Sequence, residues 1–418
     1  MPGLNDISVG PAGADIVGAD NRAIQMAIDA LAARGGGTVR ILAGEYVLSD
    51  AVRLRSNIAL LGDRDRTVLR LAPIVWSPLA VDADTGQKEI TPRDIRGFRE
   101  GQGVVCRDKS KPNGMSSVPL TVVRVADGKL YLNDYLNHDW CAEDGGLVVN
   151  YVPLLHGFEV ENALVDGFTL DARPDRLNGL GLLGSAAMWG GAFYLRRGRN
   201  CVIRNVVARG CLGDGIRFGQ CEHVTVEDCT AADNSEYGIH PGSHSPWTTV
   251  RRCHIQGNGS DGLYLCWGVR EGLFEDNVVH HNGRLKKRNG ICIGHKDTDN
   301  VFLRNHVYEN TKHGVHFRIK TEANGAHRNT FRDNIIENNG PIETGAGVWI
   351  EGVTHDLVFE HNIIRETRSG AARAQQHAFV VKPGVSRVKL VDNEISGHPG
   401  ATIVDEARSD DNDFQGLL

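Results

Sequence analysis

The residues best equipped for chemistry gather in one short stretch, Tyr237-Gly238-Ile239-His240-Pro241-Gly242. An imidazole with an unperturbed pKa of roughly 6.5 takes and returns protons near neutrality, so His240 reads as a base. Tyr237 reads as an acid or a second base. Arg217 upstream and Lys296, Arg318 and Lys320 downstream supply cations able to hold a carboxylate. His244 and His316 add titratable groups, and Glu351 adds an acceptor. Tyr264, Trp267 and Trp349 offer ring faces on which the flat apolar face of a ligand stacks. This set suits abstraction of a proton beside a carboxylate. A cation neutralises the carboxylate, a base takes the proton, and an acid protonates a leaving oxygen or returns the proton from the other face.

Two other chemistries compete. Asp214 and Asp261 occupy equivalent places two repeats apart, roughly 9–10 Å by strand stacking. That is close to the ~6.5–9.5 Å of an inverting glycosidase pair, although Asp-Gly is also ordinary turn chemistry. Calcium held by Asp214, Asp233 or Asp261 is a candidate cofactor, without a dense acidic cluster to demand it. An outward histidine on a repeat protein is most often only a solvated side chain, and that plain reading applies to His316 with Arg318 and Lys320 as well.

What places these residues together is a repeat of roughly 24 residues. One position holds Asn205, Cys229, Cys253, Asn277, Asn305, Asn334, Asn362 and Asn393, and a second holds Asn234, Asn258, Asn282, Asn310 and Asn339. Glycines at 215, 238, 262, 290, 314 and 347 open short strands. A period in this range means a solenoid, in which each repeat buries its apolar face against its neighbours. After each glycine the first and third residues are mostly apolar and point inward, so the second residues form an outward column: Arg217, His240, Tyr264, Cys292, His316 and Trp349. The ladder Asn and Cys side chains read as structural, bonding backbone at the turns.

Ahead of the repeat, residues 19–34 predict a helix capped by Asp20, with Ile24, Ala27, Ile28 and Leu31 on one face and Gly35-Gly36-Gly37 ending it. Its expected role is to cover the open end of the solenoid. Strands are expected at 38–42, 45–48, 52–54 and 58–60. The organisation reads as a cap and first coils over 1–71, a β insert over 72–151, the parallel solenoid over 152–404 and a frayed tail over 405–418. Within the insert, Phe98, 104–105, 120–125, 129–132 and 147–149 read as strands.

Bulk properties narrow the partners. The chain has 418 residues, 41% hydrophobic, and a net charge of −6 with no dense basic run, which argues against nucleic acid. No stretch approaches the roughly 18 apolar residues of a membrane span. Nine cysteines, without a CxxC pair, suggest buried thiols rather than a disulfide framework. Met1 is followed by Pro-Gly-Leu-Asn-Asp, unlike a basic-then-apolar leader. A cytoplasmic location is expected unless a leader has been removed, in which case the protein is secreted or periplasmic. A homo-oligomer is compatible with all of this.

The segments Ala19-Asp20-Asn21-Arg22-Ala23-Ile24-Gln25, Gly35-Gly36-Gly37-Thr38-Val39 and Ala43-Gly44-Glu45-Tyr46, with the Asn ladder, resemble the pectate-lyase-like right-handed parallel β-helix proteins. The resemblance covers nearly the whole chain outside the insert. It implies an all-β, right-handed parallel β-helix and a polysaccharide or oligosaccharide lying along the outer groove. Members include lyases, glycoside hydrolases, mannuronan epimerases and phage tailspikes, so a non-enzymatic carbohydrate-binding β-helix is the third alternative. The insert resembles the small β insertions of tailspike-like proteins. The stretch Tyr237–Gly242 is similar to the epimerase strand Tyr-Gly-x-Asp-Pro-His. Tyr237, Gly238 and Pro241 match, while His240, Gly242 and Cys266 stand where Asp, His and a further Asp are expected. The resemblance therefore implies the place of a site and not the epimerase chemistry.

Overall fold

A computed structural model of the protein describes residues 5–109, 118–173, 191–341 and 345–415. The chain forms two compact units, Met1–Tyr194 with Val206–Gly215, and Leu195–Asn205 with Ile216–Leu418.

The first unit begins with strand Asp6–Gly10 and the helix Asn21–Ala32. Asp20 caps the helix by accepting from the Ala23 N–H at 3.0 Å. Ile24, Ala27, Ile28 and Leu31 are buried against the neighbouring strands, and the chain leaves through Gly35, Gly36 and Gly37 at φ 93, 128 and 156. Parallel strands follow at Gly37–Ile41, Gly44–Leu48, Val52–Arg53, Ile58–Leu61 and Thr67–Leu71. The strands Leu155–Phe158 and Leu164–Asp171 pair in parallel with Val52–Arg53 and Ile58–Leu61, so the first coils resume after the insert.

The insert lies wholly within this unit. It is a six-stranded antiparallel sheet with its own core around Leu79, Leu130, Trp140 and Val148. Phe98, expected in a strand, is instead a buried turn residue of that core. The strands Trp76–Pro78 and Glu89–Ile90 had no sequence signal, being only three and two residues long.

The second unit is a three-sided parallel solenoid. One side runs through Ile239–Gly242, Leu263–Tyr264, Ile291–Ile293, Val315–Phe317, Gly345–Ile350 and Gln375–Val381. The other two sides begin at Thr225–Glu227 and Thr230–Ala232, and each adds one strand per coil. Inside, Phe274, Phe302, Phe331 and Phe359 stack at ring-centre distances of 4.8, 4.4 and 5.1 Å. Each is almost wholly buried, a gain of roughly 1.5–3 kcal/mol over exposure.

The asparagines form hydrogen-bonded ladders. Asn282 accepts from the Asn258 N–H and side-chain amide and donates to Ile255 O and to Asn310 Oδ1. The same pattern runs from Asn234 to Asn339 and ends on Gln375, while the other ladder runs from Cys253 to Asn393. Cys229 and Cys253 are buried, and none of the nine cysteines forms a disulfide.

The described part of the tail, residues 405–415, is tied to the last coils rather than frayed. Ile403–Asp405 is a strand, and Asp413 exchanges backbone hydrogen bonds with Val388 and Leu390. The last coil leaves an open strand edge, and the tail satisfies part of it. Among the described residues no helix is long and apolar enough to cross a membrane.

Candidate functional site

The register confirms the outward column. Arg217 pairs with His240, Tyr264 with Cys292, Cys292 with His316, and His316 with Trp349. Outward is not the same as exposed, however. His240 is 7% exposed and Cys292 2%, because rings and guanidinium groups from adjacent coils fold over them.

Three rings make the heart of the site. Tyr237 and Tyr264 stack at 3.9 Å, and His240 stands edge-on to both at 4.9 Å. Arg318 covers the Tyr264 ring at 4.4 Å and donates to Leu265 O at 2.8 Å. Burial pushes the Tyr264 hydroxyl well above its usual pKa, against the pull of Arg318, so it stays protonated. Gly242 makes room for the histidine, since a Cβ there would lie 3.0 Å from His240 Nε2.

Beneath Arg318 is a fully buried acid that the sequence reading missed. Asp297 lies 3.5 Å from the guanidinium and accepts from the N–H groups of Gly268, Val269 and Gly294. Burial raises its pKa to about 7, while Arg318 and the backbone donors hold it down. Asp297 ties the turns after two strands to the arginine. It lies in a turn of irregular length, outside any repeat column, and so carried no periodic signal.

A second group forms one chain of hydrogen bonds. Asp261 accepts from the Asn289 N–H and side-chain amide, that amide faces His316 Nδ1 at 3.3 Å, and His316 Nε2 lies 2.8 Å from Glu351. Asn289 Oδ1 accepts from the His313 N–H, which fixes the orientation of the amide. His316 Nδ1 must then accept, and Nε2 carries the proton toward Glu351. Both ring nitrogens are engaged, so the His316 ring is held in one orientation against Glu351. The His316 contact, outweighing burial, holds Glu351 below the usual carboxylate range. Trp349 stacks on His313 at 4.7 Å, with Lys382 at 5.4 Å from its ring centre.

The acids expected to act as a pair have other surroundings. Asp214 is a buried residue of the first unit. Asp261, in the second, is 2% exposed and committed to Asn289. Asp233, the other calcium candidate in that unit, is exposed and paired with Arg284.

A third group lines an open cleft of about 530 Å³ at the strand ends: His244, Trp267, Arg270, His295, Lys296 and Asn324. His295 Nδ1 lies 3.7 Å from Cys266 Sγ, so the thiol joins the cleft to the ring cluster. Burial first, then the charges of Lys320 and Arg318, lower the His295 pKa to about 4 and keep the ring neutral.

The family model for the right handed beta helix region matches residues 185–321 and 316–416, more than half the chain. The chain belongs to the right-handed β-helix family. Solved β-helices resemble it across nearly its full length. The mannuronan C-5 epimerase AlgE4 A-module of Azotobacter vinelandii is 17% identical with a TM-score of 0.62, over 94% of this chain and 90% of that one. A glycoside hydrolase is 11% identical with a TM-score of 0.53, over 99% and 97%. The Dettilon tailspike protein is 13% identical with a TM-score of 0.62, over 98% of this β-helix and 66% of the tailspike. At these identities the likeness concerns the fold. No curated protein sequence matches the chain.

Proposed function

We propose that the second unit carries the active site of an enzyme acting on an acidic polysaccharide by proton abstraction, as a lyase or an epimerase. The observation that carries this reading is the packing of His240 edge-on between Tyr237 and Tyr264, with Arg217 on the adjacent strand in register. A base, a hydroxyl acid and a cation then stand on neighbouring rungs of one sheet.

In this reading Arg217 neutralises the uronate carboxylate, which makes the proton at C5 acidic. His240 takes that proton, and the electron pair passes into the carboxylate system. In elimination the pair then forms the C4–C5 double bond, the C4–O bond breaks, and Tyr237 protonates the leaving oxygen. In epimerisation a proton returns to C5 from the opposite face and no bond to oxygen breaks. Arg318 does not contact the substrate. It is compensated by Asp297 and holds Tyr264 against Tyr237.

The test is a panel of uronate polymers, read for ultraviolet absorbance of the unsaturated product and, by NMR, for altered C5 configuration without chain cleavage. Either signal, lost in His240→Ala, supports the reading. Reducing ends released without the absorbance, and abolished in Asp261→Asn but not in His240→Ala, replace it with hydrolysis. Binding without turnover of any polymer leaves a carbohydrate-binding module.

A further inference from the structure

The open cleft at the strand ends is built unlike the other turns among the described residues of the second unit. On three successive coils two consecutive residues take the left-handed conformation: Ser243-His244 at φ 46 and 64, Trp267-Gly268 at 69 and 89, and His295-Lys296 at 54 and 66. Left-handed backbone is costly for side chains other than Gly, Asn and Asp. Here it turns a tryptophan, two histidines and a lysine toward one concavity.

The charges of that concavity are also unusual. Several arginines elsewhere on the unit are bridged to acids on neighbouring coils, as Arg252 is to Asp228, Arg304 to Asp276 and Arg328 to Asp299. Arg270 and Lys296, both exposed, form no ion pair among the described residues, and no carboxylate lines the cleft. Its volume of about 530 Å³ falls within the usual range for ligand clefts.

The two exposed tryptophans of this unit differ in the same way. Trp247 stacks on His223 at 4.7 Å and donates its indole N–H to Glu271. Trp267 is 58% exposed and meets only the edge of His295, at 5.6 Å, so no ring covers its face among the described residues. An uncovered indole beside two unpaired cations matches a ligand with one flat apolar face and one negative group. A carboxylated sugar ring has that form, whereas a neutral sugar leaves the cations without a partner.

We infer that this cleft is a subsite for a carboxylated sugar ring, with Trp267 as the stacking platform and Lys296 and Arg270 as the partners of the carboxylate. The inference rests on the acidic-polysaccharide reading and adds to it a second point of grip, on the turn beside the ring cluster. The subsite holds a neighbouring unit of the chain and takes no part in proton transfer. Its loss therefore weakens binding of longer chains more than it slows the bound substrate.

The experiment uses the full chain carrying His240→Ala, so that substrate binds without turnover. Tryptophan fluorescence and calorimetry are followed with an oligouronate and with a neutral oligoglucan of the same length. The oligouronate is expected to bind, to weaken as salt is raised, and to lose roughly ten-fold or more in affinity on adding Trp267→Ala or Lys296→Ala. Both substitutions are at exposed positions, and an unchanged melting temperature verifies the fold. In the active background the same variants are expected to raise KM with little change in kcat. Equal affinity for the oligoglucan, or unchanged oligouronate binding in both variants, overturns the inference. If those variants bind normally while His240→Ala abolishes turnover, the subsite fails and the reading of the ring cluster stands. If the oligouronate binds through Trp267 but His240→Ala turns over normally, the reverse holds.

Discussion

Two turns of the second unit show how one solenoid serves two purposes. At the asparagine turn successive coils repeat the same side chain, and Asn258, Asn282 and Asn310 each accept from the asparagine of the coil before and donate to that of the coil after. At the strand-end turn the corresponding coils carry Ser243-His244, Trp267-Gly268 and His295-Lys296, no two alike. Identity along the axis lets every polar atom find its partner one rung away, which stabilises the coil without help from the surface. Difference along the axis leaves groups that their neighbours cannot satisfy, and those groups are available to a ligand. Uniform columns therefore hold the second unit together, and the mixed columns are where we place the proposed chemistry.

The contrast is broken or sharpened most strongly at His240. His240→Ala is expected to cost roughly 10²–10⁴-fold in turnover at temperatures where the variant stays folded, with a modest fall in melting temperature because a ring packed against Tyr237 and Tyr264 is lost, as seen by pairing an activity assay with thermal unfolding. A variant that melts early and keeps its turnover would place His240 with the structural columns.

Asn282→Ala should do the opposite. It leaves several buried partners unmatched and is expected to cost about 3 kcal/mol in denaturant unfolding, with turnover intact at temperatures where the variant stays folded. Little loss of stability would mean that the ladder is not what holds the coils together.

Acid provides a third comparison. Burial, before any charge effect, pulls His280, His295 and His398 from the ordinary 6.5 to about 4, and His313 to about 2. The unfolded chain binds protons that the folded chain refuses below 6.5. The stability these rings contribute is therefore complete above that pH and falls as pH drops toward 4, continuing lower for His313, while Asp297, with its pKa raised to about 7, offsets the effect of one ring. Melting temperatures across this range should show the fall, and His313→Gln should reduce the slope by about one proton. A flat profile would mean that these rings are not held neutral.

The smallest effect is expected at the surface ion pairs. Arg252→Ala removes contacts to Asp228 and Glu227 at the solvated surface and should lower the melting temperature least of these variants, and less still at high salt. A loss as large as that of Asn282→Ala would move the charged rungs into the class of the asparagines.

Much of this was legible beforehand, for a definite reason. The helix face of Ile24, Ala27, Ile28 and Leu31, the ladder asparagines and the column from Arg217 to Trp349 follow from spacing alone. Spacing is preserved wherever the backbone repeats. Asp297, His295 and the engagement of Asp261 by Asn289 were not legible. They lie in turns of unequal length or depend on a side chain a whole coil away. Phe98 and the tail were misread for a related reason: the burial of a turn residue and the pairing of a polar tail with an open edge depend on a partner surface distant in sequence.

The sequence by itself determined the solenoid, its strands and the order of residues along each outward column, because a fixed period brings position i of every coil beside position i of the next. Tertiary structure alone decided which of those residues are covered and which are open. It closed Tyr237, Tyr264 and Arg318 around His240, fixed the His316 tautomer through Asn289, and turned Trp267 and Lys296 into a shared cleft. The physical reason is that period counts neighbours along one axis, whereas burial, tautomer and unpaired charge depend on everything that packs across it.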